Sequence, residues 1–181
     1  MPMRKTVRFL LVLAVALLLM LCFRALAFTI CTVGGNGLSP VLMAGDRVLV
    51  NRWSYGLRVG GDGGLFGYGR IGRRAVERGD LVAFENPKNT DEVLVCRCSA
   101  LPGDTVYHEG QALVVPSLKD CADADHYWLE SVGRENQLDS RSLGFISEKH
   151  IIGRVTMVVY SHNPAAPFFK GWRSDRLLLP L

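Results

Sequence analysis

Short β-prone runs separated by turn residues fill most of this 181-residue chain and constrain its fold more than any other feature. No long helical period appears after residue 30. Apolar or alternating runs of this length between turns predict strands, so we expect a mainly β domain with an antiparallel sheet over 28–181. The runs cover 47–50, 81–84, 93–98, 105–108, 112–115 and 151–160, and the turns include Ala44-Gly45-Asp46, Arg78-Gly79-Asp80, Pro102-Gly103-Asp104 and Glu109-Gly110.

An unbroken apolar run, FLLVLAVALLLMLCF, precedes this domain at 9–23 and itself follows three basic residues. A bilayer is spanned by about 20 apolar residues, and flanking basic residues favour the cytoplasmic side. We therefore expect a basic cytoplasmic tail over 1–8 and a single-pass transmembrane anchor over 9–27. The anchor would lie in the cytoplasmic (inner) membrane, with membrane lipid as a partner and the main domain on the outer, periplasmic side.

The same segment admits a second interpretation, a secretory signal that is removed from the mature chain. Its basic start, apolar middle and Ala25-Leu26-Ala27 are typical of such signals, and cleavage would leave a chain that begins at Phe28. Arg24 stands directly before the cleavage motif, which is unfavourable for this interpretation. The retained anchor is therefore preferred.

Composition excludes several functional classes. The net charge is +4, but no nucleic-acid motif accompanies the basic residues, so nucleic acid is not an expected partner. The Gly/Arg-rich stretch 58–78 lacks a phosphate-binding pattern and is expected to be a flexible surface loop. Five cysteines without zinc spacing predict neither a metal site nor a closed disulfide framework, and no cofactor is expected. If the domain is exported, a single disulfide between Cys98 and Cys121 is possible.

A first box and five further motifs follow one another in a fixed order. The first box, at 33–51, reads VGGNGLSPVLMAGDRVLVN. The others are WSYG at 53–56, RGDLVAF at 78–84, LVCRCSALPGD at 94–104, NQLDSRSLG at 136–144 and GRV at 153–155.

Together these motifs resemble type I signal peptidases, membrane enzymes that remove signal peptides by Ser/Lys chemistry. The family's first box reads roughly Ser-Gly-Ser-Met-x-Pro-Thr-Leu-x-x-Gly-Asp. The resemblance implies the antiparallel β-sheet domain of that family, preceded by one transmembrane helix. The motif residues in register include Pro40, Gly45, Asp46, Arg97, Pro102, Gly103 and Asp104.

The resemblance also indicates which chemistry is missing. The family uses a serine to attack the scissile carbonyl, a lysine of lowered pKa to take the proton, and a second serine to orient that lysine. In this chain those three positions are Gly37, Cys96 and Gln137. Asp139 and Arg141 match a pair that supports the site through a salt bridge, and in an extended segment they would share one face. No catalytic residue is therefore expected.

Ser39 is the first candidate for a substitute nucleophile. In extended geometry residues 37 and 39 project to the same face, and a residue before proline favours that geometry. Two strand residues span about 6.5 Å, however, and a placement error near 1 Å costs about a hundredfold in rate. Cys96 is a weaker candidate, because Arg97 points to the opposite face and leaves the thiol without an activating charge. Cys96 is expected to be a small buried residue.

These observations predict a membrane-anchored signal peptidase homologue without peptidase activity. Its expected role is to bind signal-peptide-like segments of exported preproteins, or to partner an active signal peptidase. The alternative is an active signal peptidase, a serine endopeptidase that removes signal peptides, with a rewired active site. A third interpretation is a secreted β domain from which the first 27 residues have been removed.

Overall fold

The computed structural model describes residues 3–60, 67–120, 124–132, 138–167 and 169–181, and in the first helix the side chains of 5–21, 23 and 27. One long helix precedes a β domain that contains short helical turns. The elements are α1 Met3–Ala27, β1 Phe28–Thr32, β2 Asp46–Asn51, β3 Leu57–Val59, β4 Gly69–Ile71, β5 Leu81–Asn86, β6 Asn89–Ala100, β7 Thr105–His108, β8 Gln111–Val114, β9 His126–Glu130, α2 Ser140–Leu143, β10 Ile146–Ser147, β11 Ile151–Ser161 and β12 Leu179–Pro180, with 3-10 turns at Glu148–His150 and Ser174–Arg176.

The main sheet is antiparallel and follows the order β1-β2-β11-β5-β6-β9-β10, with β12 added beside β11. The pairs β3–β4 and β7–β8 form separate hairpins. Five of the six predicted runs lie within a strand, and the run 112–115 extends one residue past the end of β8 at Val114; this confirms the mainly β, antiparallel domain. β6 is longer than its predicted run, 93–98, because a tight turn returns the chain onto β5. Asn89 pairs with Asn86, and an irregular stretch at 90–92 leads into regular pairing from Val93.

Two hydrophobic cores lie on the two faces of this sheet. Val82 and Phe84 of β5 pack into one core, while Leu81 and Ala83 of the same strand pack into the other. β5 is therefore buried on both faces, which explains why it reads as a continuous apolar run. Burial of each of the larger side chains, Leu81, Val82 and Phe84, contributes about 1.5–3 kcal/mol, so the sheet forms a rigid base for the loops above it.

Two glycines are required by close backbone approaches. Gly45 has φ +89°, and a Cβ there would overlap the carbonyl oxygen of His162. Gly153 in β11 faces the backbone of Asn51, where a Cβ would overlap the carbonyl oxygen. Both glycines lie in motifs that the sequence analysis identified, and both bring the central strands together.

The helix α1 begins at Met3, ahead of the predicted anchor start at residue 9, and ends at the predicted boundary, Ala27. Its large apolar side chains are exposed from Val7 onward. The Phe23 ring lies 6.3 Å from the Trp53 ring, centroid to centroid, which connects the helix to the loop after β2. Within the part of the chain whose side chains are described, no helix has both the length and the apolar character to cross a membrane. The anchor over 9–27 stays a prediction.

The Gly/Arg-rich stretch 58–78 differs from the flexible surface loop that was predicted. Residues 61–66 lie outside the described part, but Leu57–Val59 and Gly69–Ile71 pair as the strands β3 and β4, and residues 72–78 follow them. Arg58 Nη2 lies 2.7 Å from Glu85 Oε1, and the Arg70 side chain is almost fully buried, with Nε 3.3 Å from Glu148 Oε1. The sequence indicated solvent-exposed arginines, because their carboxylate partners lie far away along the chain.

Candidate functional site

A groove of about 380 Å³ lies between the segment that follows β1 and the first half of β6. Residues 32–35, 37 and 38 form one wall, residues 92–96 form the other, and Leu138 also lines it. Gly37 and Cys96, which the sequence analysis identified separately, both line this groove. Gln137, the third such position, lies outside the described residues. Nothing in the sequence singled out Leu138 or Glu92 as lining residues.

One wall of the groove is the edge of β6, and the other continues from the edge of β1 at Thr32 into a series of turns. In the described structure β1 pairs with β2 alone, so its other edge carries no strand. β9 pairs with β6 only from Arg97 to Ala100, which leaves the edge of β6 from Glu92 to Cys96 without a described strand beside it. Unpaired edges present backbone N–H and C=O groups that can pair with another chain.

The segment that carries Gly37 is a series of turns. Ser39 N donates to Asn36 O at 3.0 Å, and Leu42 N donates to Leu38 O at 3.0 Å. The Gly37 carbonyl oxygen accepts a hydrogen bond from Val132 N at 2.7 Å. Residues 37–41 therefore differ from the extended geometry that was assumed for Ser39, because these local hydrogen bonds fold the chain back. Ser39 is exposed and is not part of the described groove lining.

Cys96 is buried, with 2% of its surface exposed, and packs in the same core as Cys98. Burial, and then the negative charge of Asp139, raise the pKa of Cys96 to about 12, so the thiol is neutral at physiological pH. Arg97 is exposed on the opposite face of the strand. Cys98 is also a free, buried thiol, which gives the Cys98–Cys121 bridge no support; Cys121 lies outside the described residues.

Asp139 and Arg141 form an ion pair beside Cys96. Arg141 Nε donates to Asp139 Oδ2 at 2.9 Å, and Ser131 Oγ donates to the same oxygen at 2.9 Å. Burial opposes ionisation of Asp139, but the hydrogen bonds from Arg141 and Ser131 outweigh it, and its pKa lies below the usual value. The Cys96 thiol contacts the carbonyl of Leu138 at 4.0 Å, next to this pair.

The geometry of this pair differs from the extended segment that was assumed. Asp139 is the N-cap of α2, and its Oδ1 accepts a hydrogen bond from the backbone N–H of Arg141 at 3.0 Å. Arg141 therefore lies inside a helical turn, and its side chain folds back over the cap. Capping side chains of this kind satisfy backbone donors that a helix start leaves free.

The loop of the first box is held by two arginines that the sequence analysis missed. Arg176 Nη2 lies 2.7 Å from Asp46 Oδ2, and the same atom donates to the carbonyl of Val41 at 2.6 Å. Arg173 Nη1 donates to the carbonyl of Ala44 at 3.2 Å. Asp46 is fully buried; burial opposes its ionisation, but the hydrogen bonds, above all that from Arg176, lower its pKa below the usual value. The C-terminal segment thus completes the loop that leads from Gly37 into β2.

The remaining motif residues lie away from the groove. Pro40 and Gly45 belong to the loop just described, and the Pro40 carbonyl accepts a hydrogen bond from Arg176 Nη1 at 3.2 Å. Pro102 and Gly103 form the turn between β6 and β7, and Asp104 Oδ2 closes it by accepting from Leu101 N at 2.6 Å. In the described structure these residues shape the scaffold and do not line the groove. No cluster of three or more potential metal ligands occurs among the described residues.

Comparison with known proteins agrees with this geometry. The sequence model of the family described as signal peptidase, peptidase S26, matches residues 6–118 and 114–160. Among similar proteins, the mitochondrial inner membrane protease subunit 2 of Mus musculus is 28% identical over 123 residues, which cover 64% of this chain and 57% of that protein. The subunit of the same name from Danio rerio is 25% identical over 118 residues, which cover 64% of this chain and 52% of that protein.

A protein named inactive signal peptidase IA, from Staphylococcus aureus, is 25% identical over 182 residues, which cover 87% of this chain and 94% of that protein. The chain thus spans only a little over half the length of the mitochondrial relatives, but nearly all of the bacterial one. The family match covers more than half of the chain and includes both walls of the groove. The chain therefore belongs to the signal peptidase family, peptidase S26.

Proposed function

We propose that this protein is a signal peptidase homologue without peptidase activity, and that its groove binds extended, signal-peptide-like segments. One observation carries the proposal: Gly37 and Cys96 line an open groove at the two positions where the family has its nucleophile and its base. The name of the staphylococcal relative, inactive signal peptidase IA, supports it.

The chemistry of these two positions argues against cleavage. Acyl transfer by this family requires a hydroxyl that attacks and a base that accepts its proton. Gly37 has no side chain, and the thiol of Cys96, with a pKa of about 12, is neither a thiolate nor a base at neutral pH. Thr32 brings a hydroxyl to the groove, but the described lining holds neither lysine nor histidine to accept its proton.

The same groove has the features of a peptide-binding site. An extended peptide can add as a strand to an exposed sheet edge, where backbone hydrogen bonds supply affinity and neighbouring pockets select side chains. The β6 wall of this groove is an edge without a described partner, and the other wall continues from the open edge of β1. Val33, Leu38 and Leu94 make much of the groove surface apolar. A segment rich in small and apolar residues, such as a signal peptide, fits this chemistry.

We further propose that α1 anchors the protein in the cytoplasmic membrane. Its 25 residues rise about 37 Å, close to the thickness of a bilayer, and its described apolar side chains are exposed where lipid would cover them. The basic N-terminus favours the cytoplasmic side and leaves the β domain outside. The mitochondrial relatives are named as subunits of a protease, which supports an active signal peptidase as a second partner.

A preprotein cleavage assay tests the loss of activity. The purified full chain is compared with a Gly37→Ser/Cys96→Lys/Gln137→Ser variant in detergent micelles. We expect the natural chain to leave the preprotein intact and the variant to cut it after small residues. Cleavage by the natural chain that is lost in a Ser39→Ala or Thr32→Ala variant would contradict the proposal and identify a rewired nucleophile.

A blocking substitution tests the groove separately. A Cβ at Gly34 would meet no atom within 4 Å, so we expect Gly34→Trp to fold normally while its side chain occupies the groove. Gly67, outside the groove, also has open space around a Cβ, and Gly67→Trp is the matched control. We expect fluorescence anisotropy to show at least about tenfold weaker binding of a signal-peptide segment by Gly34→Trp alone. Equal binding by both variants would contradict the proposal.

The mature N-terminus tests the anchor. Mass spectrometry of the protein isolated from its own membrane is expected to detect residues from α1. A mature chain that begins at Phe28 would mean that the helix is a cleaved signal and would contradict the anchor.

A further inference from the structure

Glu92 is the one residue of the described groove lining that carries a formal charge at neutral pH. The residue is exposed, and its Oε2 accepts a hydrogen bond from Asn86 Nδ2 at 2.8 Å. Asn86 is buried at the β5–β6 turn, so it holds the carboxylate in place. No described residue donates to Oε1, which leaves that oxygen free to accept a ligand group.

The position of Glu92 in β6 determines which residue of a bound peptide would lie beside it. Leu94 and Cys96 share one face of the strand, because side chains alternate with a period of two over the stretch 93–97 that pairs regularly with β5, and Glu92 directly precedes that stretch. A peptide that pairs with the open edge of β6 meets it residue for residue, with opposite side chains about 4.5–5.5 Å apart. Glu92 precedes Cys96 by four residues. The peptide residues that lie beside Cys96 and beside Glu92 are therefore about four positions apart, a span of about 13 Å.

The charged residues near Glu92 do not form an ion pair with its carboxylate in the described structure. Asp91 directly precedes it in β6 and adds a second negative charge. Lys88 lies in the turn before β6 and forms no ion pair with Glu92 in the described structure. At the other end of this wall the Cys96 thiol is uncharged, so the groove is apolar at one end and acidic at the other.

We propose that Glu92 selects peptides that carry a lysine or arginine four positions from the residue that packs against Cys96. The ligand class is an extended apolar segment with a basic residue on one flank. This inference rests on the proposed peptide binding and concerns which peptides are bound. Opposite charges directly across two strands stabilise the pairing, and at an exposed site the expected gain is a severalfold change in affinity.

A lysine scan tests the inference. The probes are fluorescein-labelled nine-residue peptides of alanine, valine and leucine that carry one lysine, glutamine or glutamate at each position in turn. They are titrated against the full chain in detergent micelles. We expect lysine at one position to tighten binding about threefold to fivefold over glutamine, and glutamate there to weaken it. A photo-reactive residue four positions from that lysine is expected to crosslink next to Cys96.

Charge reversal assigns the effect to Glu92. We expect Glu92→Gln to abolish the lysine preference and Glu92→Lys to favour glutamate at the same position. Asp91→Asn is the matched control, because it removes the neighbouring charge at the same end of β6 while leaving the Glu92 carboxylate and its contact with Asn86 in place, and it is expected to retain the preference. The preference should also shrink in high salt.

The outcomes separate this inference from the proposed function. Equal affinity for lysine, glutamine and glutamate peptides would overturn the role of Glu92 while leaving groove binding intact. A lysine preference that survives Glu92→Gln, or disappears in Asp91→Asn, would also overturn it. If no peptide binds and Gly34→Trp changes nothing, both the proposed function and this inference are wrong.

Discussion

Arg176 forms a two-point ion pair with Asp46, a residue 130 positions earlier in the chain. Its Nη2 lies 2.7 Å from Asp46 Oδ2, and its Nε donates to Oδ1 at 3.2 Å. The same guanidinium also donates to the backbone carbonyls of Pro40 and Val41. One side chain near the C-terminus therefore holds the two ends of the loop that leads out of the groove.

We predict that Arg176→Ala destabilises the protein by about 3–5 kcal/mol, because it leaves the fully buried Asp46 carboxylate without its main partner. Arg176→Lys should recover part of this loss, since lysine cannot reproduce the two-point contact. Urea unfolding of the full chain measures both. Arg173→Ala is the control: that side chain is more exposed and lies 3.8 Å from Asp46, so its loss should be clearly smaller. Equal losses for the two alanine variants would contradict the assignment.

Acid should weaken the Asp139–Arg141 pair. The folded-state pKa of Asp139 is lowered, so its contribution to stability is complete above the unfolded pKa of about 3.9 and is lost as pH falls through the folded pKa. We predict that Asp139→Asn costs about 2–3 kcal/mol at pH 7 and that the difference from the natural chain shrinks below pH 4. Urea unfolding at pH 7, 5 and 3 tests this. A gap that stays constant over that range would contradict the linkage.

The Cys96 thiol should be unreactive. With a pKa of about 12, its thiolate fraction at pH 8 is on the order of a thousandfold below that of a free cysteine. We predict that iodoacetamide labels Cys96 and Cys98 only after unfolding, as followed by mass spectrometry with and without urea. A small thiol peptide in the same reaction is the control. Rapid labelling of folded Cys96 would show an activated thiol and would reopen the question of catalysis.

Gly45 should not tolerate a side chain. Its φ of +89° is strained for any L residue, and a Cβ would overlap the His162 carbonyl, which is backbone and cannot rotate away. We predict that Gly45→Ala costs about 2–4 kcal/mol in urea unfolding. Gly34→Ala, where a Cβ has open space and φ is ordinary, should change stability by less than about 0.5 kcal/mol. A similar cost for both variants would contradict the close approach at Gly45.

The parts of the fold with a local signal could be predicted from the sequence. The apolar runs around Val48, Phe84 and Val155 became strands because burial on a sheet face is what their composition favours. The start of β6 carried no such signal, because residues 89–92 are polar and only Asn89 among them pairs with β5. β9 was also missed, although its HYWLE sequence is typical of a strand, because its pairing partners lie about 30 residues away in sequence.

The residues of the candidate site also fall into those that the sequence could predict and those that it could not. Motif spacing was enough to find Gly37 and Cys96, and the structure brings both to one groove. Ser39 differed from expectation because backbone hydrogen bonds over 36–42 fold the segment into turns, which overrides the extended bias of a residue before proline. Arg176 could not have been predicted, since nothing local in its sequence indicates an acidic partner 130 positions away.

The open edge of β6 affects the tendency of the protein to self-associate as well as its binding of ligands. A strand edge without a neighbour is a template for self-association, and natural sheets usually cover such edges or place charges on them. Here the edge lies inside a recess, and Asp91 and Glu92 bring negative charge to its outer end. Two copies that approach edge to edge would bring these like charges together. Neutralising both residues should therefore favour aggregation, even though neither side chain belongs to a hydrophobic core.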